Sequence, residues 1–450
     1  MANHSRKYDE TPIERLVSPF LHFAGQEAAG GVLLLICTLA ALVWANSYWA
    51  GSYESLWETH LRLGIGDYVI DESLHFWIND ALMVVFFFVV GLEIKREMIV
   101  GELASPRRAA LPVVAALGGL AVPAAVYLAF NAGTDGMRGW GIPMSTDIAF
   151  SLGVLALLGR RVPLALKVFV AAFAIADDIG AVLIIALFYS ADIAWVNLAV
   201  GFGLLGVIGI AHQLHIRHPL IYAFLGIAVW LAFLKSGVHV TVAGVLVAAL
   251  IPSRIRIDAG EFLTRCRALL DRFERSGEAG TATPTSMEQR AALAELETTS
   301  KEVESPLDRM EENLHPWVTF VILPLFAFAN AGVVLDEGLT DALTDRVTLG
   351  VLFGLIVGKQ VGITLFTWLA IKFRLVTMPS SLRWRQIYGA AWLGGIGFTM
   401  SIFVTGLAFG EGSFVSEAKI GILVASVLCG IGGWVVLRGA TPSDTPGADG

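Results

Sequence analysis

Charge is what this chain has least of. Across 450 residues only 16% are Asp, Glu, Lys or Arg, against 56% hydrophobic residues, and the mean hydropathy is +0.69. Soluble domains carry roughly a quarter charged residues, so a string of soluble domains is excluded. Cysteine is also scarce. Cys37, Cys266 and Cys429 lie far apart without metal-ligand spacing, which argues against a disulfide framework or a cysteine metal centre. No Walker motif is present, and the glycines at 394 to 397 lack the strand-turn-helix setting of a nucleotide fold. Neither ATP, nor a nucleic acid, nor any cofactor is expected as a partner. Met1 to Gln26 lacks the basic, apolar and small-residue order of a cleaved signal, so the first span is expected to be retained.

Long apolar runs are what the chain has in quantity. Residues 28 to 47, 109 to 130, 163 to 187 and 415 to 437 are nearly uncharged. Each has about twenty positions, enough to cross ~30 Å of hydrocarbon as helix. Reading apolar windows and polar breaks predicts an all-α integral membrane protein. About twelve transmembrane helices fall at 28–47, 76–98, 109–130, 141–158, 163–187, 193–212, 219–235, 238–252, 314–334, 346–373, 384–406 and 415–437. With a cytoplasmic N-terminus, 25 of the 31 Lys and Arg residues fall inside. Five fall outside (Arg62, Arg138, Lys235, Arg346, Lys419), and Lys359 lies within a span. That bias predicts both termini in the cytoplasm. The domain layout is then a transporter domain over 1–437, interrupted by a cytoplasmic loop at 253–313 and followed by a tail at 438–450.

Two segments lie outside the spans. Residues 59 to 71 (THLRLGIGDYVID) alternate apolar and polar around glycines, predicting a small external β-hairpin. Residues 253 to 313 are rich in Glu and Arg and read as an extended, partly ordered linker. Within them Phe262, Cys266, Leu269, Leu270 and Phe273 fall at helical spacing, so a short amphipathic helix precedes the Gly-Thr-Pro-Ser patch at 276 to 286.

An ionisable side chain in hydrocarbon costs about 2.5–3.5 kcal/mol on insertion scales, so it usually faces a cavity or a partner. Four stand out: Asp147 in GIPMSTDIAFSLGVL, Asp177 and Asp178 in FAIADDIGAVLII, and Lys359 in LIVGKQVGITLF. Neighbours on a helix point about 100° apart, so the aspartates flank one corner. One can meet a cation in a water-filled funnel while the other meets a counter-ion. Two negative charges side by side in a low dielectric repel, so the pair holds a proton or a cation. A hard cation favours such oxygens, and its arrival expels protons from them. Competition of that kind, in a protein opening alternately to each side, is already an exchange mechanism. The bland alternative is a buried ion-pair network, but two acids with one lysine balance poorly.

Broken helices are expected at two places. Gly139, Gly141 and Pro143 precede the Asp147 span, and Gly394, Gly395 and Gly397 sit in the middle of the eleventh. Opposed half-helices leave partial charges at mid-membrane that Asp147 and Lys359 would offset. His212, His215 and His218 drift around the helix at i, i+3, i+6 and Pro219 follows, which argues against a metal site. His239 reads either as a pH-tuning group or as a hydrogen-bonded core histidine.

Seven motifs, in order along nearly the whole chain, resemble the NhaA sodium/proton antiporters. They are WINDALMVVFFFVVGLEIKRE (77–97), STDIAFSLGVLALLGRRVPLALKVF (145–169), IADDIGAVLIIALFY (175–189), LKSGVHVTVAGV (234–245), LHPWVTFVILPLFAFANAGV (314–333), VGKQVGITLF (357–366) and GGIGFTMSIF (394–403). The resemblance implies inverted repeats, with discontinuous fourth and eleventh helices crossing at mid-membrane. It implies that Asp177 and Asp178 form the site for sodium, lithium and protons, Asp178 as the direct cation ligand and Asp177 paired to Lys359. Thr146 and Asp147 are implied at the helix crossing. Glu93, Arg96, Glu97 and Glu311 match a cytoplasmic pH-response cluster, although Glu93 and Glu97 also read as ordinary salt bridges with Lys95 and Arg96. Asp80 matches an acid near the outer end of the second span, and the 59–71 hairpin resembles a homodimer contact. The stretch LDRMEENLHPW departs from relatives in carrying acidic Asp308 and Glu312.

The expected function is an electrogenic, pH-regulated antiporter in a prokaryotic inner membrane. It is not an enzyme, and it exports sodium against two protons. One proton rides on Asp178, the second on Asp177 or Lys359. Two rivals differ in class. An intramembrane aspartyl protease needs acids facing each other from separate helices, and a cation channel would not couple sodium to protons.

Overall fold

A computed structural model describes residues 28–65, 68–190, 193–214, 216, 218–253, 257–276, 286–334, 339–410 and 412–439. The N-terminal stretch before 28, His215, the middle of the 276–286 patch and the tail from 440 lie outside the described residues.

In chain order the helices begin with α1 (Ala28–Ala45) and α2 (Ala50–Trp57). Strands β1 (His60–Ile65) and β2 (Tyr68–Ser73) follow, paired antiparallel from His60 opposite Ser73 to Ile65 opposite Tyr68. The hairpin foreseen at 59–71 is therefore present, two residues longer at its far end. Next come α3 (Leu74–Ile99), α4 (Pro106–Asn131), a 3-10 segment (Asp135–Met144), α5 (Ile148–Leu158) and α6 (Leu164–Phe188). Then follow α7 (Trp195–Gln213), α8 (Pro219–Leu234), α9 (Val240–Leu250), α10 (Ala259–Arg275), α11 (Met287–Val303), α12 (Pro306–Trp317) and α13 (Leu323–Asn330). The last four are α14 (Arg346–Lys372), α15 (Trp384–Gly394), α16 (Phe398–Phe409) and α17 (Ser413–Arg438).

All twelve apolar segments carry helix. Among the described residues seven helices are long and apolar enough to cross a membrane, or up to nine if two bent pairs count as single spans. The pairs are α1 with α2, bent by 116°, and α15 with α16, bent by 43°. Helices α8 and α9 are apolar but shorter. The chain is thus a predominantly helical, multi-pass membrane protein with one small two-stranded sheet.

The chain divides into two compact units. One comprises residues up to 83, 100–190 and from 318 onward; the other comprises 84–99 and 191–317.

In the first unit, α4 and α14 approach backbone to backbone. A Cβ on Gly118 would lie 2.2 Å from the carbonyl of Gly362, and one on Gly362 would lie 2.1 Å from that of Gly118. Gly358 presses on Pro123 and Gly354 on Pro143 in the same way. Small residues at four-residue intervals let helices pack closely where no water drives them together. Between Gly354 and Gly358 the helix widens into a π turn, immediately before Lys359. Such turns re-aim the side chain that follows.

In the second unit, Gly91 of α3 and Gly244 of α9 serve the same purpose. Added methyls would meet Ala248 at 2.7 Å and the Val84 carbonyl at 2.6 Å. Leu205, Ile208, Val229, Phe233, Val247 and Leu307 form its core. Where the sequence reads as an extended linker, α10 and α11 run antiparallel, joined by Arg265 to Glu302 at 3.0 Å and Arg272 to Glu295 at 3.3 Å. Asp258 caps α10 by accepting from the Gly260 and Glu261 amides, and Ser286 caps α11 by accepting from that of Gln289. The amphipathic helix expected before the patch is α10. Its partner α11 has too few large apolar residues to announce itself by periodicity.

Candidate ion-binding site

The first unit gathers its buried charges at two interruptions. The 3-10 segment ends at Met144, and Ser145, Thr146 and Asp147 are extended before α5 begins. On the other strand of chain, Gly395 to Gly397 separate α15 from α16. Neither stretch of backbone can satisfy itself within a helix, and each supplies the other's partners. The Asp147 amide donates to the Ile396 carbonyl at 2.7 Å. Thr146 Oγ1 donates to the Gly394 carbonyl at 2.8 Å, and Ser151 Oγ to that of Leu393 at 2.9 Å. These are the last carbonyls of α15, where partial negative charge collects.

Asp147 serves the opposite ends. As N-cap of α5 it accepts from the Phe150 amide at 3.1 Å through Oδ1. Its other oxygen accepts from the Thr399 amide at 3.1 Å, in the first turn of α16, and from the Thr399 hydroxyl. One carboxylate therefore faces two helix N-termini.

Lys359 lies in α14, right after the π turn. Its ammonium donates to Asp177 Oδ2 at 2.8 Å and to Thr146 Oγ1 at 2.9 Å. Because Thr146 in turn donates to Gly394, the lysine reaches the end of α15 through a hydroxyl. Phe173, one turn before Asp177 on α6, sets its ring 5.8 Å from the ammonium, within cation–π range. Glycines at 119 and 394 border that ring; methyls there would lie 3.4 and 3.2 Å from it. Asp178 follows Asp177 on α6 and is buried as well. Lys359 and Asp177 are 0% exposed, Asp147 and Asp178 2%, and Thr146 1%. Asp177 Oδ1 is a buried oxygen that accepts no hydrogen bond among the described residues.

The remaining candidates lie elsewhere. Asp80 is half-buried in the π turn Trp77–Leu82. Glu93, Arg96, Glu97, Glu311 and His239 belong to the second unit. There Arg96 Nη1 meets Glu311 Oε1 at 2.8 Å, with Glu311 on α12 buried and Arg96 partly exposed. Burial pushes the Glu311 carboxyl above its ordinary value. Arg96 opposes the shift, while Asp308, Glu312 and Glu97 add to it. Lys95 donates to the carbonyls of Ala249 and Ile251 at the end of α9, and among the described residues no salt bridge joins it to Glu93 or Glu97. His239 caps α9, its Nδ1 2.9 Å from Thr241 Oγ1. His212 Nδ1 lies 3.1 Å from the Leu250 carbonyl, and His218 caps α8 as an exposed residue.

Sequence reasoning missed Thr399, Ser151 and Phe173. Thr399 stands two residues after the last of the broken-helix glycines, which was its only signal.

Apolar spans around an enclosed lysine–carboxylate pair, set where two helices break, define a membrane protein of the secondary ion-transporter class. Residues 21–437 match the family described as Na+/H+ antiporter 1. A protein of Koribacter versatilis named Na(+)/H(+) antiporter NhaA is 52% identical over 433 residues, covering 96% of this chain and 94% of that one. A protein of the same name from Oleidesulfovibrio alaskensis is 47% identical over 427 residues, with 95% of each chain covered. The chain belongs to the Na+/H+ antiporter 1 family. It is a sodium/proton antiporter rather than an enzyme, and the ions it moves are substrates, not cofactors.

Proposed function

We propose that sodium and protons compete for the carboxylates of Asp177 and Asp178, and that this competition is the exchange. The observation that carries the reading is the fully buried pair of Lys359 with Asp177, with Thr146 as the ammonium's second acceptor. Sodium, or lithium as another hard monovalent cation, takes oxygens of Asp178 and Asp177 and expels their protons. In the proton-loaded state Asp178 carries one proton, and the second sits on Asp177 or on Lys359. Two protons enter for each sodium exported. One net charge then crosses per cycle, and a membrane potential adds about 2.3 kcal/mol per 100 mV.

Alternating access turns about the interrupted fourth and eleventh helices, the 135–158 segment and the α15–α16 pair, crossing at mid-membrane within inverted repeats. Asp147 and Thr146 hold that crossing together, and the carboxylate pair of α6 is the part that loads. Residues 1–437 act as the transporter, with 253–313 and the tail at 438–450 in the cytoplasm, both termini inside, and the protein in the bacterial inner membrane. The Arg96–Glu311 pair, with Glu93 and Glu97, answers to cytoplasmic pH. A Glu311 that takes up a proton more readily than an exposed glutamate would release Arg96 as the cytoplasm acidifies. His239 tunes that response. The hairpin exposes Leu61, Leu63 and Val69, the apolar surface by which a second copy would dock.

Gradient balance in proteoliposomes tests the stoichiometry. Net flux at zero potential should stop when the sodium ratio equals the square of the proton ratio, and an imposed potential should shift that balance. An exchange balanced one for one and indifferent to potential would contradict the scheme.

A further inference from the structure

The segment that delivers Thr146 to the site is gripped from outside it by two tyrosines. Tyr127 of α4 donates its hydroxyl to the Gly136 carbonyl at 2.7 Å. Tyr189, which ends α6, donates to the Arg138 carbonyl at 2.9 Å and accepts from the Gly141 amide at 3.1 Å. Both contacts require bare backbone. A Cβ on Gly139 would lie 2.4 Å from the Tyr127 hydroxyl, and one on Gly141 2.7 Å from that of Tyr189. Between them Trp140 meets Phe188 edge-on with ring centres 5.1 Å apart and lies nearly parallel to Tyr189 at 6.5 Å. Met144, just before the extended stretch, is buried with Leu120 and Ala124.

Tyr189 is on the helix that carries Asp177 and Asp178, and Gly141 is a few residues ahead of Thr146. We propose that Tyr189 is a positioning residue for the ion site: by fastening the end of the carboxylate helix to Arg138 and Gly141, it fixes Thr146 against the Lys359–Asp177 pair. The inference rests on the reading of Thr146 and Asp177 as site residues. The α15 end holds Thr146 from one side, through its bond to Gly394; the tyrosine holds the chain leading to it from the other. If that chain slackens, Thr146 Oγ1 withdraws from the ammonium. Lys359 then leans on Asp177 alone, and its carboxylate becomes less available to sodium. Binding should suffer before turnover does.

The test measures sodium dependence of exchange in proteoliposomes, with membrane insertion and thermal stability checked for each variant. Tyr189→Phe should raise the apparent KM for sodium about five- to tenfold, the size of one or two neutral hydrogen bonds, with maximal rate within about twofold. Thr146→Val should raise KM as well, and the double variant should be no worse than Thr146→Val, because both changes break one linkage. Gly141→Ala forces the same joint apart and should raise KM, with partial rescue when Tyr189→Phe removes the clashing oxygen. Should Tyr189→Phe fail to insert, Gly141→Ala set against Thr146→Val supplies the answer: a raised KM in each, with no further rise when the two are combined. Effects that multiply, or an unchanged KM in Tyr189→Phe beside a raised one in Thr146→Val, would overturn the proposal alone. An unchanged KM in Thr146→Val would overturn the site reading beneath it.

Discussion

Asp178→Asn should insert and fold, yet show no measurable sodium-driven proton movement. The substitution keeps the shape of the side chain and removes its charge and its protonatable oxygen. An amide oxygen is a weaker ligand for a hard cation than a carboxylate, and it binds no proton in the working range, so both substrates lose their place at once. Folding should survive because the Lys359–Asp177 bond is made by the neighbouring residue, and an amide is less costly to enclose in hydrocarbon than a carboxylate. Flux of each ion is followed separately in vesicles, with a pH dye and with labelled sodium. Retained exchange would remove Asp178 from the mechanism.

Lys359→Met should have the largest effect on stability. Removing one partner of a buried ion pair strands the other, at a cost of about 3–5 kcal/mol. Here the stranded group is Asp177, enclosed as fully as the lysine itself, with Phe173 bordering the vacated volume. The purified variant in detergent should therefore lose its monodisperse folded form at a clearly lower temperature than the parent. Replacing the whole pair, as Lys359→Met with Asp177→Leu, should recover part of that loss, since an apolar pair of similar volume is often as stable as the ionic one. If the single variant matches the parent, or the double is worse than either single, the pair does not hold the two helices together. Neither variant should transport, so stability and function separate in the comparison.

Much of this was legible in the residues. Charged side chains inside twenty-residue apolar runs are rare enough that Asp147, Asp177, Asp178 and Lys359 could be picked out from composition alone, and the structure encloses all four. Gly139, Gly141 and Pro143 fall in the 3-10 segment that ends just before the extended residues 145–147, and the glycines at 394–397 lie at the junction of α15 and α16. The hairpin showed through its alternation around Gly64 and Gly66.

What escaped is contact between distant parts of the chain. Thr399 is an ordinary threonine until it is seen donating twice to Asp147, 252 positions away. The reading offered Lys359 a half-helix C-terminus and, through the family resemblance, Asp177; the lysine meets Asp177 and reaches the end of α15 only through the Thr146 hydroxyl, a relay no residue pattern announces. Tyr189 gave no sign, since a tyrosine at the end of a span usually reads as an interfacial anchor. Helix α11 was hidden for another reason: its buried positions are Gln289, Ala292 and Thr299, too small or polar to produce an apolar stripe.

Proton release on sodium binding tests the central claim most directly. Purified protein in weakly buffered detergent would be titrated with sodium over a range of pH, following the pH of the solution and the affinity together. Competition for one set of oxygens predicts that sodium expels protons, that its affinity falls steadily as the solution is acidified, and that both signals vanish in Asp178→Asn. Sodium bound with the same affinity at every pH, with no protons appearing, would contradict it.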